Sequence, residues 1–229
     1  MDTEILFTEQ KWNILSLLSK ERLSPLQLSK KSNTTMANIS QQLRLLEASS
    51  LVGKTKIPNR DKGKPRTLFH LTKDFAYMIN VNGGFAGKKM IELDQHHKSI
   101  MSIWFVKDRS LHYFLEKWLW KIEPHMPMID AILFNDSEIS ARDSKIILYL
   151  VSKKEAELRK KLAVMEIKNQ EGTSKSIVPQ FLSSSSLKSD LQSRKAPFSD
   201  LSSLLVIYDS EKMVDNSIRE FSQQLEVRE

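Results

Sequence analysis

Asn38, Ser40, Gln41 and Arg44 lie within seven residues of one another, flanked on the N-terminal side by Thr34 and Thr35. Amides, hydroxyls and one guanidinium donate and accept in bidentate geometry, which is the chemistry that reads base edges in a DNA major groove. Shortly downstream, residues 53–66 (GKTKIPNRDKGKPR) carry Lys54, Lys56, Arg60, Lys62, Lys64 and Arg66 against Asp61 alone. Such a run suits a phosphate backbone, although a solvated lysine-rich loop has the same composition. Other chemistry finds little support. Cysteine is absent, which excludes disulfides, thiolate metal sites, thiol sensing and a cysteine nucleophile. His96 and His97 are adjacent and so do not face one another, and His70, His112 and His125 show no ligand spacing. The cluster Gly83-Gly84-x-x-Gly87 lacks the strand-to-helix setting of a phosphate-binding loop and reads as turn chemistry.

The charge distribution agrees with an anionic partner for the first third of the chain. The 229 residues have a net charge of +7. Residues 1–75 hold 13 Lys and Arg against 7 Asp and Glu, and the remaining residues hold 22 against 21. No long apolar run or basic-then-apolar leader is present, so no membrane segment is expected and the expected location is cytoplasmic.

These polar groups need elements to position them. Trp12, Ile14, Leu15, Leu17 and Leu18 recur at helical spacing, predicting a helix over about 8–20. Ser24-Pro25-Leu26-Gln27 has the residues of a capping box with proline at the first helical position, predicting a short helix over 25–32. After the turn at 32–34, Met36, Ile39, Leu43 and Leu46 fall on one face of a helix over 34–47, with Asn38, Gln41 and Arg44 elsewhere. Leu51-Val52-Gly53 opens one strand, 67–72 forms a second, and the basic run is the tip between them.

This order, with S-P-L-Q-L-S-K-K-S, N-I-S-Q-Q-L-R-L-L-E, S-L-V-G and G-K-P-R-T-L-F-H-L-T, resembles the winged helix–turn–helix regulators of the ArsR and MarR type over residues 6–75. The resemblance implies a recognition helix bearing Ser40, Gln41 and Arg44 and a wing bearing Lys62, Lys64 and Arg66. It further implies double-stranded promoter DNA as partner, a homodimer, and regulation of archaeal type, with the basal transcription machinery as another candidate partner. Gly63 alone represents the glycine-rich wing of those families.

Residues 76–125 read as a β-rich connector and an aromatic helix. Asn82-Gly83-Gly84 sits between extended runs at 77–81 and 89–93, Ser102–Val106 reads as a further strand, and a helix is expected over 109–123. That helix carries one stripe of Leu111, Phe114, Leu115, Trp118 and Ile122 and a second of Tyr113 and Trp120. Tyr113, Trp118 and Trp120 are therefore candidates for a dimer seam, unless residues 76–106 cover the second face.

From residue 126 onward, strand-like runs (131–134, 145–151, an extended stretch ending at 179, and 204–208) alternate with helix-like runs (153–164, 185–192, 198–202 and the terminus). The serines at 183–186 are expected to cap the following helix. The stretch ILFNDSEISARDSKIILYLV, with LLVIYDSE downstream, resembles the minimal nucleotidyltransferase domain. In that family a Gly-Ser pair holds the triphosphate and paired aspartates bind Mg²⁺. The resemblance places Asn135 and Asp136 at the Gly-Ser positions and Lys145 and Ile147 at the aspartates, with Asp143 preceding the pair. A scaffold without its catalyst is expected: no enzymatic activity, no catalytic residue, no metal and no cofactor.

The expected fold class is α+β, a winged helix (1–75), a connector (76–125) and a small α/β domain (126–229). The expected function is a sequence-specific transcription regulator. The alternatives are a metal-dependent nucleotidyltransferase whose winged helix binds substrate, a non-specific DNA-coating protein, and a winged helix that docks protein.

Overall fold

The computed structural model describes residues 8–58, 66–138 and 144–226. The protein is a mixed α and β chain that divides into two compact units, Met1–Leu93 and Asp94–Glu229. The expected connector is thus shared out: its hairpin belongs to the first unit and its aromatic helix to the second.

In the first unit, helices α1 (Glu9–Lys20), α2 (Pro25–Lys31) and α3 (Met36–Ala48) precede strands β1 (Val52–Ile57) and β2 (Arg66–Leu71). The α2 start is a complete capping box: Ser24 Oγ accepts from the Gln27 backbone N–H and the Gln27 side chain accepts from that of Ser24. Ile14, Leu15, Leu18, Leu28, Ile39, Leu43 and Leu46 form the core with Leu51, Val52 and Phe69. Leu23 exchanges two backbone hydrogen bonds with Phe69, so the link between α1 and α2 is a third short rung on β2. Trp12 and Met36, expected on apolar faces, are 62% and 43% exposed. Each lies beside a stripe already filled by residues three or four positions away. A second antiparallel pair, β3 (Phe75–Asn82) and β4 (Phe85–Glu92), closes on Gly83-Gly84, with Gly84 at φ 95°. Phe75 and Met90 anchor its base against the core.

The second unit is built on a five-stranded sheet in the order β7-β8-β6-β5-β9. Its strands are β5 (Ala131–Asn135), β6 (Lys145–Ser152), β7 (Met165–Lys168), β8 (Ser174–Ser183) and β9 (Leu204–Asp209). β6 and β8 are parallel and every other pair is antiparallel. All of β5 is buried and β6 nearly so, because helices cover both faces, which is why both read as continuous apolar runs. One face packs on α4 (Gln95–Trp104), α5 (His112–Ile122) and α6 (Glu155–Lys161); the other packs on α7 (Leu187–Gln192) and α8 (Met213–Glu226).

Three local expectations are corrected. Ser102–Val106 is not a strand: residues 102–104 are the last turn of α4, whose start is fixed by Asp94 Oδ1 accepting from the His97 N–H at 2.8 Å. Its β-branched and aromatic residues masked a helical i, i+3 pattern of Ile100 and Ile103. Residues 198–202 form turns rather than a helix, because the Asp200 carboxylate accepts from the Ser202 N–H and from both the Ser202 and Ser203 hydroxyls. Ser186 stands at the N-cap of α7 without capping it. Its backbone is αR rather than extended, and its hydroxyl donates to Asp190 at 2.8 Å.

Candidate nucleic-acid interface

The turn between α2 and α3 is held by backbone and side chain together. Asn33 adopts φ 47°, a left-handed position that asparagine tolerates, and the Thr34 N–H donates to the Ser29 carbonyl at 3.1 Å. Thr35 is the N-cap of α3 and its hydroxyl accepts from the Asn38 N–H at 3.2 Å. The Asn38 side chain is occupied: Nδ2 donates to Thr34 Oγ1 at 3.0 Å and to Gln10 Oε1 at 3.2 Å, and Oδ1 accepts from Gln42 Nε2 at 3.3 Å. Ser40 donates back to the Met36 carbonyl at 2.7 Å. Four of the six candidate reading residues, Thr34, Thr35, Asn38 and Ser40, are therefore engaged in holding the helix to the turn and to α1.

Gln41 and Arg44 are different. Both are exposed and neither makes a hydrogen bond or ion pair among the described residues. With Ala37 and Ala48 they form a ridge at spacings of four, three and four, about 16 Å long at 1.5 Å per residue. Alanines at both ends leave nothing bulky to keep that ridge from the floor of a groove about 12 Å wide.

The β1–β2 register decides how the basic residues are displayed. Lys54 and Lys56 pair with Phe69 and Thr67, and Ile57 pairs with Arg66. Alternation then puts Lys54 and Lys56 on the face that Val52 shares and Arg66 on the opposite face. Lys56 and Arg66 are exposed and have no ion pair among the described residues. Lys54 is not comparable, because its Nζ lies 2.7 Å from Glu47 Oε1 on α3. Arg60, Lys62 and Lys64 lie outside the described residues.

No family model and no curated protein matches the chain.

Pairwise spacing missed three residues that shape this surface. Gln10 steadies Asn38 from 28 positions away, a relation without a local signal. Glu47 neutralises Lys54 across the junction of α3 and β1. Lys30, exposed in the last turn of α2, adds a cation near the start of α3.

On α5 the expected seam is corrected in one member. Trp118 is 1% exposed, inside the core of the second unit, and is unavailable to a partner. Its stripe with Phe114, Leu115 and Ile122 covers the sheet. Tyr113 and Trp120 face outward at 36% and 63% exposure, with Trp120 edge-on to His96 at 6.2 Å.

The positions that carry the nucleotidyltransferase resemblance have other occupations. Asn135 is buried; its Nδ2 donates to the Pro197 carbonyl at 2.8 Å and its Oδ1 accepts from the Ser137 N–H and hydroxyl. Asp136 lies 4.0 Å from Lys107 Nζ. Lys145 is exposed and Ile147 packs toward α7 and α8. An ammonium and a hydrocarbon do not suit Mg²⁺. Asp143 lies outside the described residues. His97 Nδ1 meets Asp94 at 2.8 Å and His112 Nε2 meets the Val106 carbonyl at 2.9 Å. Among the described residues no three His, Asp or Glu side chains gather to hold a metal ion, and no helix is long and apolar enough to cross a membrane.

Proposed function

We propose that the chain is a sequence-specific DNA-binding transcription regulator acting as a homodimer, with α1–α3 and the β1–β2 hairpin as a winged helix. The observation that carries this reading is the division of labour on α3. Thr34, Thr35, Asn38 and Ser40 are taken up in hydrogen bonds that hold the turn, the helix and α1, and the two with free bidentate groups, Gln41 and Arg44, stand on one exposed ridge. In this reading α3 enters the major groove, and Lys56, Arg66 and the cations that lie between them in the sequence hold phosphates or reach the minor groove.

The second unit is read as a non-catalytic body, since Lys145 and Ile147 replace the carboxylates that phosphoryl chemistry would require. The test is selection from sheared genomic DNA at physiological salt with excess random competitor. A few promoter fragments sharing a motif with half-sites about 34 Å apart are expected. Uniform recovery would indicate coating, and no recovery would remove DNA as the partner.

A further inference from the structure

Strand β3 has an apolar stripe that outruns its core. Phe75, Tyr77, Ile79 and Val81 alternate onto one face, opposite Glu92, Met90, Lys88 and Ala86 of β4; the base packs on the core through Phe75 and Met90, and Tyr77 is half-buried. Ile79 and Val81 are 70% and 75% exposed. A two-stranded ribbon of this kind is marginal by itself. Among the described residues β4 is the sole strand paired with β3, so the outer backbone edge of β3 has no strand beside it.

The two edges are not alike. β4 carries Lys88 and Lys89, the usual guard against edge-to-edge pairing. β3, FAYMINVN, has eight residues with no charge, no proline and four β-branched or aromatic members spaced by two. Charge therefore separates the two edges as partners for a second copy. Two β4 edges brought together about a two-fold axis would set lysines against lysines, whereas two β3 edges meet without any like-charge pair.

We propose that the outer edge of β3 pairs with β3 of a second copy, antiparallel about a two-fold axis at Ile79, making a four-stranded sheet in the order β4-β3-β3-β4. Antiparallel pairing at that register sets Tyr77 opposite Val81 of the partner subunit and Ile79 opposite its own counterpart. Both apolar stripes then share one face. One strand edge with its side chains supplies roughly half of the ~800 Å² per partner of a standard interface, so the pairing depends on concentration. The inference deepens the homodimer part of the proposal above and locates self-association on β3 rather than on α5.

The test uses the full chain without DNA, so its failure leaves DNA recognition standing. Sedimentation from about 1 to 100 μM should show a monomer–dimer equilibrium. Ile79→Lys should weaken it at least about tenfold, because two ammonium groups meet on the axis, while Trp120→Ala should leave it unchanged. Circular dichroism should show both variants folded, as both side chains are largely exposed. The absence of cysteine gives a second measurement independent of folding losses. A single cysteine placed in turn at 77, 79, 81 and 89 and treated with a short bismaleimide should cross-link best at 79, equally less at 77 and 81, and least at 89. A chain that stays monomeric, a dimer lost with Trp120→Ala but kept with Ile79→Lys, or cross-linking strongest at 89 would each overturn the proposal.

Discussion

Replacing Asn38 by alanine separates a residue that builds the proposed reading helix from one that reads. Its side chain makes three hydrogen bonds, to Thr34, Gln10 and Gln42, of which those to Thr34 and Gln42 are partly buried and that to Gln10 is exposed. Counting about 0.5–1 kcal/mol for each partly buried bond and little for the exposed one gives a loss of about 1–2 kcal/mol. Gln42 Oε1 is buried with no hydrogen-bond partner among the described residues, and Asn38→Ala would take the Asn38 acceptor from Gln42 Nε2 as well. For a unit of this size the loss corresponds to a fall in midpoint of about 4–16 °C. A chain of two units need not unfold in one step, so the assay is hydrogen exchange resolved by segment. Opening free energies should fall by that amount in peptides covering α1 and α3 and stay unchanged in the sheet of the second unit. Sequence preference in the DNA selection should be kept. Unchanged exchange within 0.5 kcal/mol together with a shifted motif would refute the reasoning, because it would mean that the Asn38 amide faces the bases.

Four further outcomes are expected. Gln41→Ala should alter the selected motif while leaving stability within about 0.5 kcal/mol, since the side chain is exposed and makes no hydrogen bond among the described residues; an unaltered motif counts against the ridge. Lys56→Ala and Arg66→Ala should each lower the slope of log affinity against log salt by about 0.9, and Lys54→Ala by clearly less because Glu47 already pairs with it. Asp209 caps α8, accepting from the N–H groups of Met213, Val214 and Asp215, while burial holds its pKa above the ordinary value. Asp209→Asn relieves that burial penalty but keeps a single acceptor oxygen, so a net loss of about 1 kcal/mol is expected in urea unfolding; a gain would show that desolvation outweighs the cap. Hydrogen bonds from the Ser202 and Ser203 hydroxyls, the first being the larger cause, lower the Asp200 pKa from 3.8 to about 2. A depressed acid contributes stability above its unfolded pKa and loses it as pH falls through the folded one. Asp200→Asn should therefore flatten the stability profile between about pH 4 and 2 and leave its shape above pH 5 unchanged.

What could be read from the sequence was whatever a local period or cap decides. The α2 capping box needs only Ser24, Pro25 and Gln27, and the β3–β4 turn needs only Gly83-Gly84, so both stand where expected. The face of α3 was legible for Ile39, Leu43 and Leu46, but Met36 turned outward because nothing within the helix says where its buried stripe ends. Ser102–Val106 failed because β-branched and aromatic residues in a five-residue window fit a strand as well as the last turn of a helix, and the deciding residue, Asp94, lies eight positions upstream. At the candidate interface the residue types were visible and their availability was not. Whether Asn38 offers its amide to a base depends on Gln10, and whether Lys54 offers its charge depends on Glu47. Both are facts of packing between elements.

Asn135 bears on the proposed reading of the second unit as a scaffold without a catalyst. A triphosphate cradle requires backbone N–H groups presented outward and a small side chain that lets phosphate approach. At Asn135 the side chain turns inward instead: it donates to the Pro197 carbonyl, accepts twice from Ser137, and so ties the end of β5 to the loop before β9. Asn135→Gly would place there the smaller residue that the proposed resemblance calls for and at the same time leave the buried Pro197 carbonyl without that donor and free the backbone at the strand end. A loss of about 2–3 kcal/mol in the second unit is expected, from one unsatisfied buried acceptor and the added chain entropy of glycine. Urea unfolding followed by tryptophan fluorescence reports mainly on that unit, which holds Trp104, Trp118 and Trp120 of the four tryptophans. If the variant were as stable as the wild type, Asn135 would not be structural. Its expected loss means that, on the proposed resemblance, a glycine at this position runs against the fold, because the Asn135 side chain ties the end of β5 to Pro197 and Ser137.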